Sequence, residues 1–305
     1  MKVLVATEKP FAPVAVEGIR AEVEKAGAEL VLLEKYTDRS QLLEAVADAD
    51  ALIVRSDKVT ADVFDAARNL KIVVRAGAGY DNIDLQAATA HGVVVENTPG
   101  QNSNAVAELA LGMMVMAARN MYDGTSGTEL KGKRLGIQAF GQVGRNVARI
   151  ASGFGMEVSA VDPFCPADVM VAAGVRPVKD VPELYINSEV VSINIPATPE
   201  TVRSIGYDLI TSMPKKAILV NTARKEVIDE EGLMRALADR SDIKYMSDIR
   251  PDCAEELLEK FPGRVFFTPK KMGAQTAEAN INAGIAAARQ CIAFLRDGID
   301  RFRVN

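Results

Sequence analysis

Histidine and tryptophan are nearly missing from this chain, which has one histidine and no tryptophan among 305 residues. The single histidine, His91, stands before a glycine at the end of a helix-like segment, so we expect it to be an ordinary residue at a helix C-terminus. Side chains with the spacing of metal ligands are also absent. The sequence therefore predicts no metal site.

Cysteines, long apolar runs and excess basic charge are scarce as well. The three cysteines, Cys165, Cys253 and Cys291, are far apart and odd in number, which fits a reducing compartment. No apolar stretch approaches the roughly 20 residues that cross a bilayer, and the apolar run at the N-terminus is too short for a signal peptide. A net charge of −5 argues against a broad nucleic-acid-binding face. We therefore expect a cytoplasmic protein without a membrane or nucleic-acid partner.

Short β-branched runs alternate with amphipathic segments of helix length along the whole chain. They predict two series of strands, the first at 2–6, 29–33, 51–55, 71–75 and 92–97 and the second at 134–138, 157–161, 190–195, 216–220, 243–247 and 264–268. Runs that are apolar on both faces and separated by helices indicate parallel sheets covered on both sides. The predicted fold class is α/β, with two doubly wound parallel-sheet (Rossmann-like) domains.

The second series opens with a glycine turn. Ala139, Gly141 and Gly144 occupy the G-x-G-x-x-G positions between a strand and a helix, and Asp162 ends the next strand. In a dinucleotide fold the backbone N–H groups of this turn hold the pyrophosphate, and the carboxylate binds the adenosine ribose. An aspartate there favours NAD over NADP, because a 2′-phosphate would meet a like charge. Ala139 departs from the motif, so its Cβ must be tolerated in the first tight turn.

Two charged residues follow later strands of the same series. Arg224 lies just beyond the strand at 216–220, and Asp248 ends the strand at 243–247. Open α/β sheets bind ligands at the carboxyl ends of their strands, and a guanidinium can grip a carboxylate and polarise a neighbouring carbonyl. The simpler interpretation of Arg224 is a surface arginine at the start of a helix.

Several segments together resemble the D-2-hydroxyacid dehydrogenases, and within them the short phosphoglycerate dehydrogenases. They are "RAGAGYDNID", "NTPGQNSNAVAEL", "GTELKGKRLGI", the glycine turn, "NIPATPET", "NTARKEVIDEEGL" and "TPKKMGAQT". The resemblance covers essentially the whole chain, in order. The resemblance implies a substrate-binding domain at 1–98, completed by about 283–305, and an NAD-binding domain at 99–282, with the active site in the cleft between them. It also implies NAD as cofactor, a homodimer, and oxidation of D-3-phosphoglycerate to 3-phosphohydroxypyruvate, the first step of serine biosynthesis.

The resemblance also assigns site residues. Arg224 matches the arginine that binds the substrate carboxylate and keto oxygen. Positions that match cofactor contacts are Gly141, Gln142, Val143, Gly144, Asp162, Pro196, Thr222, Ala223, Asp248, Gly273 and Ala274. Positions that match substrate contacts are Arg55 and Ser56, Arg75, and the backbone loop Ala76, Gly77, Ala78 and Gly79. The two arginines face substrate phosphate in the family, which a lactate-type substrate does not carry.

Two residues expected from the family are missing. Lys271 stands where the family usually has its catalytic histidine, and Cys253 stands at the position of the partner glutamate, with Asp252 the nearest acid in the sequence. A lysine has no tautomer to fix, but as a base it must lose its proton about three units below its reference pKa near 10.4. A paired carboxylate would oppose that shift, whereas burial, Lys270 and Arg224 would favour it. We expect Lys271 to take the proton of the 2-hydroxyl group.

Three alternatives stay open at this point. Lys271 can instead remain charged and stabilise oxyanion character or bind phosphate. The substrate can be another 2-hydroxy acid, with or without a phosphate. The chain can also be a non-catalytic NAD(H)-binding regulator on the same fold, which would explain the lost histidine and glutamate together.

Overall fold

The structure, a computed structural model, describes residues 1–305, and the chain divides into two compact units. The first unit comprises Met1–Asn102 and Gln275–Asn305, and the second comprises Ser103–Ala274. The first unit is therefore built from both ends of the chain. No helix in either unit combines the length and the apolar character needed to cross a membrane.

The first unit is a five-stranded parallel sheet with helices on both faces. Its strands are β1 (Lys2–Thr7), β2 (Glu29–Glu34), β3 (Ala51–Val54), β4 (Ile72–Arg75) and β5 (Val94–Asn97), in the spatial order β2-β1-β3-β4-β5. Its helices are α1 (Pro13–Lys25), α2 (Arg39–Val46), α3 (Ala61–Ala66), α4 (Leu85–Ala90) and the C-terminal helix Ala277–Asp297.

Alternation along the strands divides the core of this unit between the two faces of the sheet. Val3 and Val5 belong to the cluster that contains Ala287 of the C-terminal helix, whereas Leu4 belongs to the cluster of Leu42 on α2. Successive strand residues point to opposite faces, so β-branched and apolar residues fill both clusters.

The second unit is a seven-stranded parallel sheet. Its strands are β6 (Arg134–Gln138), β7 (Glu157–Val161), β8 (Arg176–Pro177), β9 (Val190–Ile193), β10 (Ile218–Asn221), β11 (Lys244–Ser247) and β12 (Val265–Phe267), in the order β12-β11-β10-β9-β6-β7-β8. The order reverses between β6 and β9, which creates the crevice where open sheets of this class bind ligands.

Seven helices cover this second sheet. They are α5 (Ser103–Ala118), α6 (Gln142–Gly153), α7 (Ala167–Ala172), α8 (Val181–Asn187), α9 (Tyr207–Ser212), α10 (Glu230–Asp239) and α11 (Ala254–Lys260), with short 3-10 turns at Asn120–Tyr122 and Lys225–Val227. Helix α5 is apolar on most of its circumference and packs on α6 and on β10 and β11.

The predicted fold class and the predicted series of strands are confirmed. All strand pairs are parallel, and each predicted strand is present with ends that shift by two residues or fewer. The two-residue strand β8 was not predicted, because Arg176–Pro177 lies at the sheet edge and contains no apolar run. His91 is the C-cap residue of α4, as expected.

Candidate active site

The site residues predicted in the second unit lie on one edge of its sheet. Because every strand pair is parallel, the carboxyl ends of β6, β9, β10, β11 and β12 all open onto the same edge. The residues that follow these ends are the glycine turn after β6, Pro196 after β9, Thr222 to Arg224 after β10, Asp248 after β11 and Lys271 after β12. Parallel topology thus brings together side chains that are far apart in the sequence.

The glycine turn after β6 has the shape expected of a dinucleotide motif. Ala139 has φ of +76°, so an L-residue occupies the left-handed region at the first motif position. A Cβ on Gly144 would lie 2.3 Å from the Ala139 carbonyl oxygen, which requires a glycine where the helix passes the turn. A Cβ on Gly141 would meet nothing within 4 Å. Helix α6 begins here without a side-chain cap, so its first N–H groups, beginning at Gln142 and Val143, are available to an anion.

Asp162 is fixed beside this turn. Its carboxylate accepts hydrogen bonds from the backbone N–H of Phe140 at 2.8 Å and from that of Phe164 at 2.8 Å. One oxygen therefore contacts the glycine turn and the other the loop after β7. The half-buried carboxylate lies where an adenosine ribose would reach it in a dinucleotide fold.

The loop after β10 is held by a side chain that the sequence interpretation missed. The side chain of the fully buried Asn221 accepts a hydrogen bond from Ala223 N at 3.0 Å and donates one to the Arg224 carbonyl oxygen at 2.9 Å. These two bonds fix the backbone on both sides of Arg224, which is extended with φ of −145° and ψ of 144°. The exposed Arg224 side chain donates from Nη1 to the Ala223 carbonyl oxygen at 2.9 Å.

Lys271 meets Arg224 at the same carbonyl group. Its Nζ lies 3.2 Å from the Ala223 carbonyl oxygen, on which Arg224 also converges. Thr268, the residue after β12, shapes this loop, because its hydroxyl lies 2.9 Å from the Asp248 carbonyl oxygen and 2.7 Å from that of Lys270. The two cationic groups that the sequence singled out are therefore neighbours.

The Asp248 carboxylate interacts electrostatically with both of these cations. It is fully buried, and its Oδ2 accepts a hydrogen bond from Gly273 N at 2.7 Å. Burial raises the pKa of the Asp248 carboxyl, while the Gly273 N–H and the charges of Lys271 and Arg224 act in the opposite direction. The carboxylate thus faces the loop that carries Lys271.

The surroundings of Lys271 differ from those assumed from the sequence. Its side chain is exposed rather than buried, and the Asp248 carboxylate interacts electrostatically with it. Burial, one of the three features expected to favour loss of its proton, is absent, whereas the other two, Lys270 and Arg224, are neighbours of Lys271.

Cys253 stands at the position of the missing glutamate, and its acidic neighbour is also different from the one expected from the sequence. Asp252, the nearest acid in the sequence, pairs with Lys225 at 2.5 Å. Glu230 is the carboxylate next to Cys253, and it accepts hydrogen bonds from Asp252 N and Cys253 N, each at 2.9 Å. Burial and the neighbouring Glu230 carboxylate raise the pKa of the Cys253 thiol to about 12. Cys253 is therefore a neutral thiol and does not replace the acid.

The predicted substrate residues of the first unit lie at the carboxyl edge of its own sheet. Arg55 follows β3 and Arg75 ends β4, and Arg75 Nε donates to the Arg55 carbonyl oxygen at 3.0 Å. Gly77 has φ of +152°, and a Cβ there would lie 1.3 Å from Arg75 Nη1, so the guanidinium lies directly across this glycine. Burial lowers the pKa of both arginines, and the charge of Arg55 lowers that of Arg75 further. Both remain charged, because an arginine pKa begins above 12.

The second unit has features that fit a bound dinucleotide. The Thr222 hydroxyl and Asp248 Oδ1 are buried without a hydrogen-bond partner, and both belong to the predicted set of cofactor contacts. Buried polar atoms without partners are rare in folded proteins, so these two favour a ligand with polar groups. Together with the uncapped helix α6 and the open space at Gly141, they match the chemistry of NAD. No group of three or more metal-ligating side chains occurs.

Comparisons with known proteins show the family of this chain. The catalytic domain of the D-isomer specific 2-hydroxyacid dehydrogenases matches residues 5–305. The crystal structure of an NAD⁺-bound 3-phosphoglycerate dehydrogenase from Entamoeba histolytica is 47% identical, with a TM-score of 0.86, and the match covers 100% of this chain and 98% of that one.

Two curated relatives carry different activities in their names. The D-3-phosphoglycerate dehydrogenase of Methanocaldococcus jannaschii is 39% identical over 284 residues, which cover 88% of this chain. The match spans about half of that relative, 54% of its length. The hydroxypyruvate reductase of Thermotoga maritima is 36% identical over 277 residues, which cover 84% of this chain and 88% of the relative. The chain belongs to the D-isomer specific 2-hydroxyacid dehydrogenase family.

Proposed function

We propose that this protein oxidises D-3-phosphoglycerate to 3-phosphohydroxypyruvate with NAD, the first step of serine biosynthesis. The observation that carries the proposal is the convergence of Arg224 and Lys271 on the Ala223 carbonyl oxygen, beside an edge that fits a dinucleotide. The names of the relatives from E. histolytica and M. jannaschii support the same activity.

The second unit would be the NAD-binding domain. The N–H groups at the start of α6 would hold the pyrophosphate, and Asp162 would bind the ribose. Thr222 and Asp248, with their unpartnered buried oxygens, would meet polar groups of the cofactor. NAD⁺, when bound, supplies an acceptor for the hydride that leaves C2 of the substrate.

The residues at the cationic pair would handle the substrate's carboxylate and its 2-hydroxyl proton. Arg224 would bind the carboxylate and polarise the oxygen on C2, because its planar fork matches two oxygens at once. Lys271 would take the hydroxyl proton as the C2–H bond breaks, in place of the family's histidine. The hydrogen bonds of Asn221 and Thr268 would fix the loops after β10 and β12 in the positions that this transfer needs.

The first unit would be the substrate-binding domain, and its arginines would bind the phosphate. Arg55 and Arg75 are held by neutral oxygen atoms, so their charges are not cancelled by a bonded carboxylate. A dianionic phosphate would be bound by both groups, whereas an unphosphorylated 2-hydroxy acid would leave them without an anion.

A second candidate is a dehydrogenase or reductase for an unphosphorylated 2-hydroxy acid. The T. maritima relative, which matches this chain over most of both lengths, favours it. A third candidate, a non-catalytic NAD(H)-binding regulator, would need neither the Arg224–Lys271 pair nor the half-buried Arg55 and Arg75.

The test compares kcat/KM for D-3-phosphoglycerate with that for D-glycerate, which lacks the phosphate. We expect wild-type protein to prefer the phosphorylated substrate, and Arg75→Ala to lower this preference at least about tenfold, since a charge-assisted bidentate contact is lost. Arg20→Ala is the matched control, because Arg20 is an exposed arginine of the same unit that pairs only with Glu24 at 3.4 Å. Equal preference in the wild type and Arg75→Ala would reject phosphate recognition by this residue and favour the second candidate.

We also propose that the protein is a homodimer in the cytoplasm. The resemblance to the family supports the dimer, and the three scattered free cysteines support a reducing compartment. Light scattering during size-exclusion chromatography would give the mass of the assembly, and a monomer at micromolar concentration would reject the dimer.

A further inference from the structure

An amide side chain of the C-terminal helix holds the Arg55 guanidinium. Arg55 Nη2 donates to Asn280 Oδ1 at 2.7 Å, and Nη1 donates to the carbonyl oxygens of Lys9 at 3.0 Å and Pro10 at 3.2 Å. The guanidinium also lies over the Phe11 ring, 5.1 Å from its centroid. The guanidinium is thus fixed in one orientation by neutral groups, and Asn280 is the only side chain among the hydrogen-bond acceptors of the guanidinium.

The orientation of the Asn280 amide is itself determined. Asn280 lies in the first turn of the C-terminal helix, where its Nδ2 donates to the Thr276 carbonyl oxygen at 2.8 Å. The Thr276 hydroxyl in turn caps the helix by accepting from Ala279 N at 3.1 Å. Because the amide nitrogen is engaged with Thr276, the amide oxygen faces Arg55.

The nearest carboxylate does not neutralise Arg55. Asp57 is buried, and its Oδ1 accepts hydrogen bonds from Glu8 N at 2.7 Å and from the Tyr36 hydroxyl at 2.9 Å. Its other oxygen lies 3.4 Å from the backbone N–H of Arg55, and the Asp57 charge acts on the guanidinium without a hydrogen bond or ion pair between them. The charge of Arg55 and the neighbouring charge of Arg75 are therefore both retained at this edge of the sheet.

An aspartate at position 280 would have nearly the same shape but would form an ion pair with Arg55. The neutral amide instead gives directional contact without cancelling the charge. We propose that Asn280 is a specificity-determining residue that positions Arg55 for a dianionic phosphate group while leaving the charge of Arg55 available to that group. This inference rests on the proposed function and adds a residue to its phosphate site.

The experiment uses Asn280→Asp and Asn280→Ala in the full chain, with Asn282→Asp as the matched control. Asn282 lies on the same helix and is exposed, so its substitution adds the same charge away from Arg55. We expect Asn280→Asp to lower the ratio of kcat/KM for D-3-phosphoglycerate to that for D-glycerate at least about tenfold, through KM, because the ion pair competes with the phosphate. Asn280→Ala should lower the ratio by a smaller factor, since it frees Arg55 without neutralising it.

A merely structural contact would lower thermal stability and turnover of both substrates together, leaving the ratio unchanged. A ratio within twofold of wild type in both Asn280 variants would therefore overturn the inference while leaving the proposed function intact. If wild-type protein does not turn over D-3-phosphoglycerate, the proposed function fails and calorimetric titration with inorganic phosphate decides the inference. Weaker phosphate binding by Asn280→Asp than by Asn282→Asp would support it, and equal behaviour, including no binding by either, would overturn it.

Discussion

Replacing Ala139 by glycine should stabilise the protein, although it removes a methyl group. Ala139 has φ of +76°, in the left-handed region that L-residues occupy at a penalty of about 1–2 kcal/mol. Glycine has no such penalty, but it adds freedom to the unfolded chain that offsets about 0.5–1 kcal/mol. The difference predicts a gain of about 0.5–1 kcal/mol in the free energy of unfolding for Ala139→Gly.

Thermal or urea unfolding, followed by circular dichroism, measures this gain. Ala173→Gly provides the matched control, because the exposed Ala173 has φ of −87° and no backbone strain to relieve. The control should lose about 0.5–1 kcal/mol, so the two substitutions should change stability in opposite directions. Destabilisation of similar size in both variants would refute the reasoning and would mean that the Ala139 methyl group contributes packing that exceeds its strain.

The glycine turn and an acid-sensitive ion pair give two further predictions. Gly144→Ala should destabilise the second unit by about 1–3 kcal/mol, because its Cβ would lie 2.3 Å from the Ala139 carbonyl oxygen. Gly141→Ala should instead fold normally and weaken NADH binding in a fluorescence titration. Normal stability of Gly144→Ala would contradict this steric account. The Arg240 guanidinium lowers the pKa of the Asp242 carboxyl, so this pair stabilises the fold above the ordinary aspartate pKa near 3.9 and less as pH falls below it. Asp242→Asn should therefore lower the melting temperature at pH 7 more than at about pH 3, and an equal loss at both would contradict the linkage.

Strand positions were predictable because buried parallel strands are apolar on both faces. The run "ILV" of β10 and the run "ALIV" of β3 are buried on both faces of interior strands, and such runs identify a strand from the sequence alone. Strand β8 has only two residues, at the sheet edge, and carries no such signal. The apolar pattern thus identifies a strand where a run of apolar residues exists, and it misses a two-residue strand that has none.

The arrangement at the site was only partly predictable. Arg224, Asp248 and Lys271 could be expected near one another because each follows a parallel strand of one sheet. The hydrogen bonds of Asn221 and Thr268 could not, although a polar residue at the end of an apolar strand is the signal that would have pointed to them. Such bonds depend on loop conformation, which sequence spacing does not determine.

The exposure of Lys271 and the contact between Glu230 and Cys253 were also not predictable, because both depend on how the chain folds between distant segments. Exposure depends on how the loop after β12 turns, and the sequence gives no pattern for that loop. Glu230 lies 23 residues from Cys253 in the chain, and the two meet because α10 and α11 begin beside each other. Asp252, the nearest acid in the sequence, pairs instead with Lys225.

The central claim is that Lys271 takes the substrate proton, and the initial rate of NAD reduction by D-3-phosphoglycerate from about pH 6 to 10 tests it most directly. Lys271→Met should lower kcat about 10²–10⁴-fold, because a general base is lost. Lys270→Met is the control, because Lys270 is the exposed lysine next to Lys271 in the chain. In wild-type protein the rate should rise with pH through one ionisation. This rise should be absent from Lys271→Met. Full activity of Lys271→Met would contradict the proposed base, and no turnover by wild-type protein at any pH, with NADH still bound, would favour the regulator.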